Sequence, residues 1–162
     1  MNKIDWSQFK KRIAINCDIN QIFSAWTTQE NLEKWFLSLA EFANANEPIN
    51  RNTVIKPGNT YKWMWHGSDN VAEGKIIANN GENYLEFTFL GNIVSVNFIK
   101  EGNYNLIELI QSKINLDEES KIRNYVGCTR GWTFYLANLK SILEGGIDLR
   151  NKDLNLRDVL NS

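Results

Sequence analysis

His66, Ser68 and Asp69 are the residue types of a nucleophilic triad, in which an imidazole held by a carboxylate activates a hydroxyl. They fall on one predicted hairpin turn, where side chains do not meet in triad geometry and no cleft shields a base. His66 is also the only histidine, so a histidine-based metal site is not expected. Cys17 and Cys128 are not spaced as a metal or redox pair, and each reads as a small buried hydrophobe. The acidic run Asp117-Glu118-Glu119 fits the start of a helix, where the backbone dipole favours negative charge. Neither a dinucleotide fingerprint nor a Walker loop occurs. These residues point to no catalytic group, no metal and no cofactor, and a non-enzymatic protein is the expectation.

Aromatic residues carry the other chemistry available, which is desolvation of an apolar ligand. Trp26, Trp35, Trp63, Trp65, Phe87, Phe89 and Trp132, with Val96, Leu109 and Cys128, are expected to face one interior, and Gln111 and Thr129 supply polar groups there. Arg130 either joins them or lies on the solvated flank of its helix. Large aromatics also fill dry cores, so both readings stand at this point. Gln111 interrupts an otherwise apolar strand face, and an unpaired buried amide is costly; it requires a partner, a water or a ligand.

The elements that position these residues follow from periodicity. From Asp117 to Gly146, residues 125, 128, 129, 132, 135, 136, 139, 142 and 143 form a stripe at helical spacing, predicting one amphipathic helix of about seven turns. Gly145-Gly146 is its expected stop. Upstream, Phe9 to Cys17 reads as a strand, and Ile22, Phe23 and Trp26, then Leu32, Trp35 and Phe36, mark two short helices, with a capping box from Thr27 to Glu30. The Asn-rich segment Leu37 to Asn59, which holds both prolines, reads as a long loop. Five strands then alternate: Tyr61 to Trp65, Val71 to Ala78, Tyr84 to Phe89, Ile93 to Lys100 and Asn105 to Ile114. Short turns at Asn80-Gly81, Gly91-Asn92 and Gly102-Asn103 force antiparallel pairing. The aromatic face of this sheet must meet the helix stripe.

Length allows one domain of 162 residues with a sizeable core and no need of disulfides. The formal charge of −1 is spread along the chain and leaves no footprint for nucleic acid or anionic membrane. No apolar run approaches the ~20 residues of a membrane span. The opening MNKIDWSQFKKR lacks the apolar core of a signal peptide, so a cytoplasmic protein is expected.

The order strand, two helices, meander, long helix is an α+β helix-grip arrangement: a curved antiparallel sheet of about six strands wrapped around the C-terminal helix. On particular residues the chain resembles the START-like (SRPBCC) superfamily, in the branch named for the activator of the heat-shock chaperone ATPase. These are Ile22-Phe23-Ser24-Ala25-Trp26-Thr27-Thr28-Gln29-Glu30 with Leu32 and Trp35-Phe36, the strand Tyr61-Lys62-Trp63-Met64-Trp65, and Gly131-Trp132-Thr133-Phe134-Tyr135-Leu136 with Leu139-Lys140 and Leu143-Glu144-Gly145. The likeness spans about residues 9 to 146 and implies a domain over 1–146 followed by a tail, 147–162, that packs on it or extends from it. It implies a cavity between helix and sheet that takes a small apolar molecule, lipid-like or aromatic, without catalysis. The alternatives it carries are a co-chaperone-like module that regulates a heat-shock chaperone in the stress response, and a cyclase or hydrolase using the same cavity. A monomer or a homodimer is compatible with each.

Overall fold

A computed structural model describes residues 3–156 and 158–161. Residues 1, 2, 157 and 162 of the expected domain and tail lie outside the described residues. Strand β1 (Phe9–Ile15) is followed by helices α1 (Ile19–Ser24) and α2 (Gln29–Glu33), then strands β2 (Leu39–Asn44), β3 (Glu47–Pro48), β4 (Thr60–Met64), β5 (Val71–Asn79), β6 (Tyr84–Phe89), β7 (Asn92–Glu101) and β8 (Tyr104–Ser112). The chain then enters α3 (Glu118–Ser120), a π-helical turn (Lys121–Gly127) and α4 (Cys128–Leu143). The strands form one antiparallel sheet in the order β1-β8-β7-β6-β5-β4-β2-β3. The helix-grip class holds, with eight strands in place of about six.

The extra strands come from the segment read as a loop. Residues β2 and β3 pair through a two-residue turn in which Ala45 and Asn46 both take positive φ, 48° and 69°. Only a glycine or asparagine pair announces such a turn in a sequence, and Ala45 hides it. Pro48 is tolerated because β3 is the sheet edge. Other turns shift by a residue: Leu90 and Gly91 take positive φ between β6 and β7, and Asn80 instead uses its side-chain oxygen to accept from the N–H groups of Glu82, Asn83 and Tyr84.

The capping box is displaced likewise. Thr28 caps α2, its hydroxyl accepting from the Asn31 N–H at 3.1 Å, while the Thr27 hydroxyl donates to the Ser24 carbonyl. Asp117 caps α3 through the Ser120 N–H as its position suggests. The long helix stops at Leu143: Gly145 adopts φ 82°, its N–H donates to the Ile142 carbonyl, and the Gly146 N–H donates to the Ser141 carbonyl, a Schellman arrangement.

Between α4 and the sheet the space is filled by rings. Trp132 stacks on Phe36 at 5.1 Å and lies 6.1 Å from Trp26, which in turn sits 4.6 Å from Trp35 at 58°. Tyr61 and Trp63 stack at 3.8 Å on β4, and Phe87 of β6 meets Trp63 edge-on. All of these are buried.

Candidate functional site

Gln111 shows how the core is closed. It is fully buried on β8; its side-chain carbonyl accepts from the Trp132 indole N–H at 3.0 Å, and its amide donates to Asn92 Oδ1 at 2.9 Å and to the Asn124 carbonyl at 3.3 Å. The partner that Gln111 requires is therefore the helix itself. The π-helical turn makes this possible: its wider winding presents the Asn124 carbonyl to Gln111 and the Arg123 carbonyl to the Cys128 thiol, 3.8 Å away. A uniform α-helix from Asp117, as the stripe predicts, would spend those carbonyls on its own ladder.

The open volume lies at one end of this packed interior. A cleft of about 950 Å³ separates the N-terminal half of α4 from the loop 65–70, the turn after β6 and residues 158–161. Phe36, Trp65, Phe89, Trp132 and Tyr135 line it with rings. Gly127 and Gly131, one turn apart on the helix, expose bare backbone to it. Of the residues expected around a cavity, Trp65, Phe89, Cys128 and Trp132 border the cleft, whereas Trp26, Trp35, Trp63, Phe87, Val96, Leu109 and Gln111 pack in the core behind it. Thr129 lines a second groove of about 550 Å³ on the far flank of α4, with Trp6, Val126, Phe134 and Ala137. Arg130 and Leu160 border both.

The electrostatics of the cleft are uneven. Arg123 and Arg130 stand exposed on its wall, and neither is ion-paired among the described residues. Asp158 is the only carboxylate among the described lining residues. Burial, with the charges of Arg150 and Lys152, pushes the His66 pKa down, so the imidazole is neutral at pH 7. Burial raises the Tyr135 phenol to about 12 and pushes the Cys128 thiol up, which leaves both protonated near neutrality. Tyr135 is then a donor and Cys128 a poor nucleophile. No three His, Cys, Asp or Glu side chains among the described residues converge as metal ligands.

Some contributors were invisible to periodicity. Phe36 and Tyr135 sit on predicted apolar faces without being marked for the cleft, and the interior glycines of the helix were the one local sign of Gly127 and Gly131. Loop 65–70 and the 158–161 segment carry no repeat that would place them. A clamp behind the site also went unseen. Arg150, almost wholly buried, donates to the Leu37 and Glu33 carbonyls at 3.0 Å each and pairs with Asp148 at 2.7 Å. Asn138 of α4 donates to the Trp35 carbonyl at 2.8 Å and to Asp148 at 3.1 Å, and accepts from the Leu149 N–H.

The model of the family described as "Activator of Hsp90 ATPase homolog 1-like protein" matches residues 16–144. Among solved structures, a protein from Staphylococcus saprophyticus is similar with a TM-score of 0.69 and 16% identity over 88% of this chain and 96% of its own. The Aha1 dimer from Colwellia psychrerythraea gives a TM-score of 0.66 and 18% identity over 86% and 97%. A protein from Nitrosomonas europaea gives 0.68 and 14% over 87% and 97%. At such identities these structures share the fold with this chain. A search of the curated proteins returns no match. No described helix is long and apolar enough to cross a membrane.

Proposed function

The chain belongs to the Activator of Hsp90 ATPase homolog 1-like family, and from that premise we propose that it binds a small, largely apolar molecule in the cleft beside α4, without catalysing its conversion. The observation that carries this reading is the pair of helix-interior glycines at the cleft wall. Each costs about 1 kcal/mol of helix stability relative to alanine. A Cβ at Gly131 would meet nothing within 4 Å, and one at Gly127 only the Ile122 carbonyl at 3.5 Å, so packing does not demand either glycine. What they do is keep the space over the rings of Trp132 and Phe36 open. A ligand there would gain about 25 cal/mol per Å² of apolar area buried, before the costs of association.

Gly131→Leu is the sharpest test, because it adds a good helix former in open space and fills the cleft. The variant should unfold at the same or higher urea concentration than the parent, while its affinity for the uncharged fluorophore N-phenyl-1-naphthylamine falls about tenfold or more, roughly the 1.4 kcal/mol that separates such affinities. Unchanged affinity in a folded variant would place binding elsewhere.

A second reading, regulation of a chaperone through protein contact, is favoured by the groove on the far flank of α4. Its wall is almost entirely apolar, and Ile122 and Val126 nearby are exposed. Stimulation of a heat-shock chaperone ATPase that is lost in Val126→Asp would support it. A cyclase or hydrolase using the same cavity would draw on a glutamine, arginine or tyrosine there; Gln111 is committed at both ends, while Arg130 and Tyr135 line the cleft.

A further inference from the structure

Building on the cleft reading, we infer that the molecule held there is an amphipathic carboxylate, its apolar body on the rings of Trp132, Phe36 and Phe89 and its anionic head between Arg123 and Arg130. The two arginines are seven residues apart across the junction of the π-helical turn and α4. Both line the same cleft, so two long guanidinium side chains border the space in which one head group would sit. Between them in the sequence, on the same wall, lies Gly127, whose missing side chain leaves room beside the head group.

Charge on the wall supports that choice. Salt bridges consume the other arginines among the described residues: Arg12 pairs with Glu101 and Glu108, Arg51 with Glu33, and Arg150 with Asp148. Arg123 and Arg130 make no such pair among the described residues, and Asp158 supplies the only opposing charge on the described lining. A guanidinium meets a carboxylate through two parallel N–H donors, so a pair of them discriminates an acid from the alcohol of equal chain length. The neutral His66 adds no charge, and the protonated Tyr135 hydroxyl is one further donor on the lining.

Displacement of N-phenyl-1-naphthylamine by dodecanoate and by dodecan-1-ol tests the inference on the full chain. In the parent, dodecanoate should compete about tenfold more effectively than the alcohol, and the advantage should shrink in high salt, which screens exposed charges. Arg123→Gln with Arg130→Gln, both at exposed positions that leave the core untouched, should bring the two competitors to parity by weakening dodecanoate alone. Equal competition in the parent, or an acid preference that survives the double substitution, would overturn the head-group assignment while leaving an apolar cleft in place. Failure of the parent to bind the uncharged fluorophore would overturn the cleft reading and this inference with it.

Discussion

At the scale of single residues, the bond from the Trp132 indole to Gln111 decides how the core is closed. Trp132→Phe keeps a ring in the stack and removes the donor, leaving the Gln111 carbonyl buried without a partner. The expected loss is about 1–3 kcal/mol in urea unfolding, and replacing Gln111 with leucine in the same chain should not recover it, since Asn92 Oδ1 and the Asn124 carbonyl would then lose their donor. Both residues were legible separately: Trp132 from helical spacing, and Gln111 as the amide that breaks an apolar strand face. Their contact was not, because it depends on the three-dimensional meeting of β8 with a helix whose local winding is π. Asn138 and Arg150 stayed hidden for a similar reason. A polar residue beside an apolar stripe, or an arginine in an aperiodic tail, reveals nothing of burial until the carbonyls it serves are in place.

Elements differ in how far their own residues announce them. Strands β6, β7 and β8 alternate cleanly; their faces followed from period, and their antiparallel pairing from the short turns between them. The β2–β3 hairpin did not, since its turn uses Ala45 at positive φ and its second strand has only two residues. Helix α2 ends in carbonyls that water would otherwise satisfy; Arg150 reaches the Glu33 and Leu37 carbonyls, and Asp148 and Asn138 fix Arg150 against α4. Asp148→Asn removes the charge that balances a buried guanidinium. The expected cost is about 2–3 kcal/mol, below the upper range for broken buried pairs because Arg150 keeps its two carbonyl partners. Amide exchange should show the loss locally, with faster exchange at Leu149, whose N–H donates into the same network.

For the whole molecule, His66 and Asp148 are two of the groups that tie stability to pH. His66 has a folded pKa below its ordinary 6.5, through burial first and then the nearby cations. The unfolded chain therefore takes up more protons than the native one as pH falls through that region, and stability declines from about pH 6.5 downward. At Asp148 burial pulls the pKa upward, but the hydrogen bonds from Arg150 and Lys152 win and hold the carboxyl well below its ordinary 3.8. Its contribution is complete above that value and is lost as pH falls further. Thermal midpoints measured from pH 8 to pH 3 should thus fall in two stages, and His66→Gln should abolish the first while sparing the second. The sheet-around-helix class that permits this was readable from element order; the position of the cleft was not, because the rings expected to border a hollow interior are large enough to fill it, and the cleft opens instead at one end, where Gly127 and Gly131 line the helix wall. The filled interior has an optical consequence. Two indoles fixed 4.6 Å apart at 58° couple their electronic transitions, so the native chain should carry a pair of oppositely signed circular-dichroism bands that vanishes once Trp26 and Trp35 part, a spectroscopic mark of the closed core that needs no added dye.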